Sequence, residues 1–226
     1  MLSDSYLPHV LARFGPAVLT TTVVFSLLVS TMLIALALVV RSTLSIKPSR
    51  PEAAVSLVVD HLEQTVKEML GRDPRPFTPL VATLALFIGM ANLTGLIPGL
   101  HAPTADLSTT AALAVIVFFA VPFWGIRLRG VWGYLRHYLE PAPFLFPLEV
   151  LSDFTRTLTL AVRLFGNVMS AELVIAVLIL LAGFLVPVPI MLLAVLTSVV
   201  QAYIFSVLTI VYLSAATTEQ PKEGNT

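Results

Sequence analysis

Apolar residues run along five stretches of this chain, and prolines or charges mark the breaks between them. Ala17 to Val40 is an uncharged run of 24 residues. At about 1.5 Å per residue it spans the roughly 30 Å of a bilayer's hydrocarbon. No small-residue cleavage site follows it, so the pattern predicts a retained first membrane helix over 17–40. From Pro51 to Leu70, Val55, Leu57 with Val58 and Val59, Leu62, Val66, Met69 and Leu70 recur at helical spacing among Glu52, Asp60, Glu63, Lys67 and Glu68. That pattern predicts an amphipathic helix over 51–70 on the cytoplasmic side. An ordinary helix packed on a partner subunit fits equally well. After the proline-rich loop Arg72–Pro79, Leu80–Leu96 and Ala111–Trp124 are both short for perpendicular spans. They predict a helical hairpin over 80–125 packed against other protein. Asp106 or Ser108 supplies the N-cap of its second helix.

The C-terminal part, 144–216, departs from this simplicity. Phe144 to Val186 holds a helical pattern too long for one perpendicular crossing, and Ile190 to Ala216 adds another segment. Polar residues recur through both: Glu149, Asp153, Arg156, Thr159, Arg163, Asn167, Ser170 and Glu172 in the first, and Thr197, Ser198, Gln201, Ser206, Thr209 and Tyr212 in the second. A segment this polar cannot face lipid all round, so the pair is expected as a long tilted or nearly horizontal hairpin.

Composition agrees. Of 226 residues, 57% are hydrophobic and 12% charged, about half the charged share of soluble domains. The expected class is therefore an all-α polytopic membrane protein, a single membrane domain of about five membrane helices plus the amphipathic one. No cysteine is present and the four histidines are scattered, which argues against disulfide chemistry and a metal cluster. Zero net charge gives no reason to expect nucleic acid. Arg41, Lys47, Arg50, Lys67, Arg72 and Arg75 lie between the first two apolar stretches, and Arg127, Arg129 and Arg136 follow the third. The connections near 98–110 and 186–190 hold no Lys or Arg. By the positive-inside rule the N-terminus lies outside and the C-terminus in the cytoplasm.

Arg163 is the residue that calls for explanation. An arginine stays charged, and at a bilayer's centre it costs about 2.5–3.5 kcal/mol on insertion scales. With Arg163 at zero and about 100° per residue, Glu149 falls near +40°, Asp153 near +80°, Arg156 near +20°, Asn167 near +40° and Ser170 near −20°, one polar stripe. Glu172 falls near 180°, on the opposite face. No carboxylate of this helix stands at the three- or four-residue spacing that pairs side chains. A structural ion pair elsewhere in the chain is one reading of Arg163; a partner on another chain is the other.

The run Arg163-Leu-Phe-Gly-Asn167, with Glu149, Arg156 and Glu172 around it and Gln201-Ala-Tyr-Ile-Phe-Ser-Val-Leu-Thr-Ile-Val-Tyr-Leu213 after it, resembles the a subunit of F-type ATP synthases. Pro103–Ser108 and the stretch from Asn92 to Pro98 resemble that family too. The resemblance implies an ion-translocating stator without a catalytic site or cofactor of its own. It would work against a ring of c subunits and beside peripheral-stalk b subunits, in the bilayer of a bacterial plasma membrane. It implies that Arg163 attracts each ring carboxylate, makes it release its ion (H⁺ or Na⁺) and blocks a leak. Asn167 and Gln201 match the flanking polar positions and Glu172 the outer half-channel. Glu149, Asp153 and Arg156 would line the cytoplasmic half-channel, with Ser170 along the same path. The chain departs from the family at Thr157, where many members have proline, at Ser108, often asparagine, and at Ala194, where some have histidine. A stand-alone transporter with an arginine at an anion site is the alternative; it would call for internal repeats, and none is visible.

Overall fold

The computed structural model describes residues 10–14, 17–42, 50–71, 73–96, 100–139, 146–183 and 185–217. It is a helical bundle with one short addition. Strands β1 (Val10–Phe14) and β2 (Ala17–Thr20) pair antiparallel, with Phe14 opposite Ala17 and Arg13 opposite Val18. Helix α1 (Thr21–Ser42) follows directly. The first helix therefore starts at Thr21, and the expectation of helix from Ala17 is corrected. Three apolar residues and a threonine carry no period that separates strand from helix, so the ladder with β1 decides.

Helix α2 (Arg50–Leu70) has its stripe of Leu62, Val66 and Leu70 buried. The cover comes from Phe77, Val81, Ile210 and Leu213 of this same chain. Neither a helix lying free on the membrane nor one docked only on a partner describes it fully. The Ser214 hydroxyl donates to the Met69 carbonyl at 3.1 Å, and His61 stacks on Tyr203, fastening α2 to the last helix.

Helices α3 (Thr78–Thr94) and α4 (Leu107–Leu139) are joined through a 3-10 turn at Pro103–Ala105. Asp106 caps α4: its carboxylate accepts from the Ser108 amide and hydroxyl, both at 2.9 Å. The expected hairpin over 80–125 is looser than the sequence suggested. α3 packs chiefly on α6 (Val188–Thr217), and α4 chiefly on α5 (Phe146–Ala182). α4 is broken at Gly130, whose φ of 74° and ψ of 161° suit glycine. Beyond the break the chain folds back until the Tyr134 ring rests 2.5 Å from where a Cβ on Gly125 would stand.

Four helices, α1, α4, α5 and α6, are long and apolar enough to cross a membrane, and the shorter apolar α3 brings the set to five. α5, with 37 residues, is about 55 Å long, so it fits within roughly 30 Å of hydrocarbon only by tilting steeply. Where lipid replaces water, close contact between small residues holds helices together. Gly89 of α3 meets Ala202 of α6 in this way, beside the buried Ile88, Leu164 and Phe205, and Ala82 and Ala85 of α3 join a second cluster with Ile210 and Leu213 of α6.

A Cβ on Gly89 would stand 3.8 Å from the Ala202 Cβ, an ordinary contact. Gly89→Ala should leave the fold intact, whereas Gly89→Leu should force α3 from α6 at about 1–3 kcal/mol. Thermal midpoints in detergent check this; equal midpoints for the two variants would refute the close approach.

Candidate functional site

The site is built on α5, whose core-facing band consists of Leu160, Ala161, Leu164, Val168 and Ile175. The polar stripe runs along one edge of that band. Glu149, Asp153 and Asn167 are half-buried at the edge, and Arg156, Thr159, Arg163 and Ser170 are exposed beyond it. Glu172 lies at the other edge, its side chain 12% exposed. Stripe and Glu172 do sit on opposite sides of the helix, and what separates them is the packed interior of the bundle.

Arg163 projects from the exposed side of α5. Among the described residues no hydrogen bond or ion pair reaches its guanidinium. The reading in which a carboxylate elsewhere in the chain pairs with it finds no support there. Gln201 is buried within α6, 6% exposed. Ser170 spends its hydroxyl on the Asn167 carbonyl at 3.0 Å and lines none of the cavities described below.

Two cavities with carboxylates in their walls flank the position of Arg163 along α5. One, of about 140 Å³, is lined by Val121, Glu149, Ser152, Asp153, Arg156, Tyr212, Ala215 and Ala216, room for several waters. Inside it the Arg156 guanidinium lies 3.7 Å from the Asp153 carboxylate and 5.8 Å from the Tyr212 ring centre. An adjoining, mostly apolar cavity of about 210 Å³ reaches from there to Phe118, Pro122 and Tyr134.

The other cavity is small, about 20 Å³, and lies among α3, α5 and α6. Asn92, Asn167, Glu172, Ala194, Thr197 and Ser198 are among its walls. The Asn92 carbonyl oxygen accepts from the buried Thr104 hydroxyl at 2.5 Å, while its amide nitrogen is buried with no partner among the described residues. The site therefore keeps a spare donor beside a carboxylate. Glu172 accepts from the Ala102 amide at 2.7 Å through Oε1, and His101 Nδ1 stands 3.6 Å from Oε2.

Six of the eight sequence-expected residues thus separate into three places, and Gln201 and Ser170 fall in none of them. Glu149, Asp153 and Arg156 share one cavity, Asn167 and Glu172 the other, and Arg163 lies between them on the open side. Ser152, Tyr212, Asn92, Thr104, Thr197, Ser198 and His101 join the site from the structure. Asn92 carried a visible signal, an amide inside an otherwise apolar helix. His101 carried none, because its approach to Glu172 spans 71 residues of chain. Among the described residues no group of His, Asp and Glu is arranged to hold a metal ion.

Comparison with known proteins agrees with this architecture. The family model described as the ATP synthase A chain matches residues 21–214. The chain is 44% identical over 223 residues to ATP synthase subunit a 1 of Hahella chejuensis, covering 97% of this chain and 95% of the relative. It is 45% identical over 221 residues to ATP synthase subunit a 2 of Pelobacter propionicus, covering 96% and 97%. ATP synthase subunit a of Moorella thermoacetica is 40% identical over 207 residues, covering 92% and 95%. On a match that runs nearly from end to end, this chain belongs to the ATP synthase A chain family, the non-catalytic a subunits of the enzyme's membrane sector.

Proposed function

We propose that this subunit conducts the coupling ion along two offset half-paths and works as a stator against carboxylates carried by a rotating c ring. The observation that carries the reading is Arg163: a permanent cation on the open side of α5, unpaired within the described chain, between two cavities that each have a carboxylate in their walls. A partner carboxylate arriving from a neighbouring subunit would satisfy its charge, and proximity to the guanidinium would favour that carboxylate's ionised form. The bound ion would then be released before the carboxylate moved on. Glu172 and Asn167 belong to the outer half-path, and Glu149, Asp153 and Arg156 to the inner one. Gln201, buried in α6, is assigned to the polar surroundings of the route, and Ser170 to its edge. Each elementary charge carried across 100 mV releases about 2.3 kcal/mol for rotation.

As a member of this family the chain works within a complex of ATP synthase subunits in a bacterial membrane. Besides the c ring, the proposal includes peripheral-stalk b subunits as neighbours that hold the stator still. It sets the chain in the plasma membrane with the N-terminus outside and the C-terminus in the cytoplasm, which places the Arg- and Lys-rich connections inside. The open side of Arg163 also speaks against a stand-alone transporter, whose ligand site would be enclosed by its own helices.

In the whole complex reconstituted into vesicles, Arg163→Ala should abolish ion-driven ATP synthesis, while ATP hydrolysis by the detached catalytic head continues. Coupled synthesis retained by that variant would refute the proposal. The absence of cysteine in the chain allows a clean test of orientation. A single Thr226→Cys should resist a membrane-impermeant maleimide in intact cells and react once the membrane is opened, and a single Ser3→Cys should react from outside at once. The reverse pattern would invert the topology.

A further inference from the structure

We propose that His101 is the outer proton donor to Glu172, so that the ion delivered along this half-path is a proton. The inference rests on the reading of Glu172 as part of the outer half-path and adds to it a residue and an ion. The contact comes from the α3–α4 connection and not from a membrane helix. His101 Nδ1 stands 3.6 Å from Glu172 Oε2, and the two side chains differ sharply in exposure, 46% against 12%. One member of the pair therefore meets water while the other is enclosed. Imidazole is the side chain that gains and loses a proton near neutral pH, which suits it to carry protons from water to a covered carboxylate.

The surroundings hold Glu172 in place to receive one. The Ala102 amide, adjacent to His101, grips Oε1 at 2.7 Å and leaves Oε2 turned to the imidazole. Gly95 makes this approach possible: a Cβ there would stand 2.8 Å from Glu172 Oε1 and 2.7 Å from the Ala102 Cβ. Ala102 and Thr104, on either side of Pro103, are buried, so the loop is anchored where it presents the histidine. Thr104 is in turn tied to Asn92 of α3. From the other elements packed around Glu172, the cavity walls are Asn92 and Gly95 of the α3 end, Asn167 of α5, and Ala194, Thr197 and Ser198 of α6. None of these titrates in the neutral range. Asp106, the nearest acid along the connection, is engaged in capping α4.

The step balances in protons alone. The imidazolium N–H bond at Nδ1 breaks as an O–H bond forms at Oε2, leaving a neutral imidazole and a carboxylic acid. A proton from the outer bulk, arriving as hydronium at the exposed edge of the ring, then restores the imidazolium and leaves water. The present separation is longer than a hydrogen bond, and a closure of about 0.7 Å would bring the pair to the usual 2.9 Å. A movement of that size lies within the reach of a half-exposed side chain.

The test uses the whole complex in vesicles, with ATP synthesis driven across the outer face and followed as outer pH is varied at constant total driving force. His101→Gln should lower the rate on the order of tenfold to hundredfold. It should also weaken the dependence of that rate on outer pH relative to the parent. In the Glu172→Gln background, His101→Gln should cost nothing further, because the two would act as one unit. His101→Asn serves as a second variant, and the amount of assembled complex in the membrane is measured for each. A parental rate and pH profile in both assembled histidine variants would overturn the inference. So would synthesis that follows a Na⁺ gradient at fixed pH. Arg163→Ala is run beside them: an inactive Arg163→Ala with unaffected His101 variants removes only this inference, whereas an active Arg163→Ala removes the stator reading itself.

Discussion

Arg163 cannot be neutralised, and this one constraint organises the helix that carries it. A guanidinium in an apolar segment must face water, another protein or an anion, because facing lipid costs several kcal/mol. α5 meets the demand by packing on one side only. Leu160, Leu164 and Val168 turn toward α3, α4 and α6, and Arg163 stays exposed with Leu158, Val162 and Leu173 around it. A bundle that wrapped α5 completely would have to supply a buried counter-charge. The bundle remains lopsided, with a largely apolar open side on which Arg163 has no counter-charge among the described residues. Such a surface calls for a neighbour that is itself apolar and brings a carboxylate.

Not every polar group in these helices has the same standing. Ser26, Ser30, Thr155, Thr157, Thr159, Ser206, Thr209 and Thr217 each donate to the carbonyl four residues earlier. These hydroxyls are satisfied inside their own helix and need nothing from neighbours. Once they are set aside, the amides, carboxylates and arginines are left: Asn92, Glu149, Asp153, Arg156, Arg163, Asn167, Glu172 and Gln201. Their side chains are too long or too charged to be satisfied by a local turn. Most of them fall on the two cavities or between them.

What could be read from the sequence follows the range of the interaction. Helix lengths, the polar stripe on α5, the Asp106 cap and the isolation of Arg163 depend on residues within a few turns of one another. The pattern along the chain reports them directly. The β1–β2 ladder was missed because Ala17–Thr20 has too few residues to show a period, and the break at Gly130 because one glycine among many carries no label. The pairing of α3 with α6, the Asn92–Thr104 bond and the meeting of His101 with Glu172 are contacts between distant segments, and no local pattern encodes them. Ala194 shows the difference well. From the sequence it reads as a histidine gone missing; in the structure it lines the same cavity as Glu172, while a histidine reaches that carboxylate from the α3–α4 loop.

The placement of the cavities also constrains how an ion could travel. Between the cavity of Asp153 and Arg156 and that of Asn167 lie about 16 Å of α5. Over that length Leu160, Ala161 and Leu164 are packed to no more than 3% exposure. A route through the interior would have to open this seam, losing the close contacts that hold the helices together where no hydrophobic effect can replace them. A route over the open side needs no such opening, but it must pass Arg163. A bare cation meeting a guanidinium is repelled, whereas an ion carried on a neutral, protonated or metal-bound carboxylate is not. Passage between the cavities therefore favours an ion that rides on a carboxylate over one that diffuses freely, and the packing of α5 and the charge of Arg163 enforce the same rule.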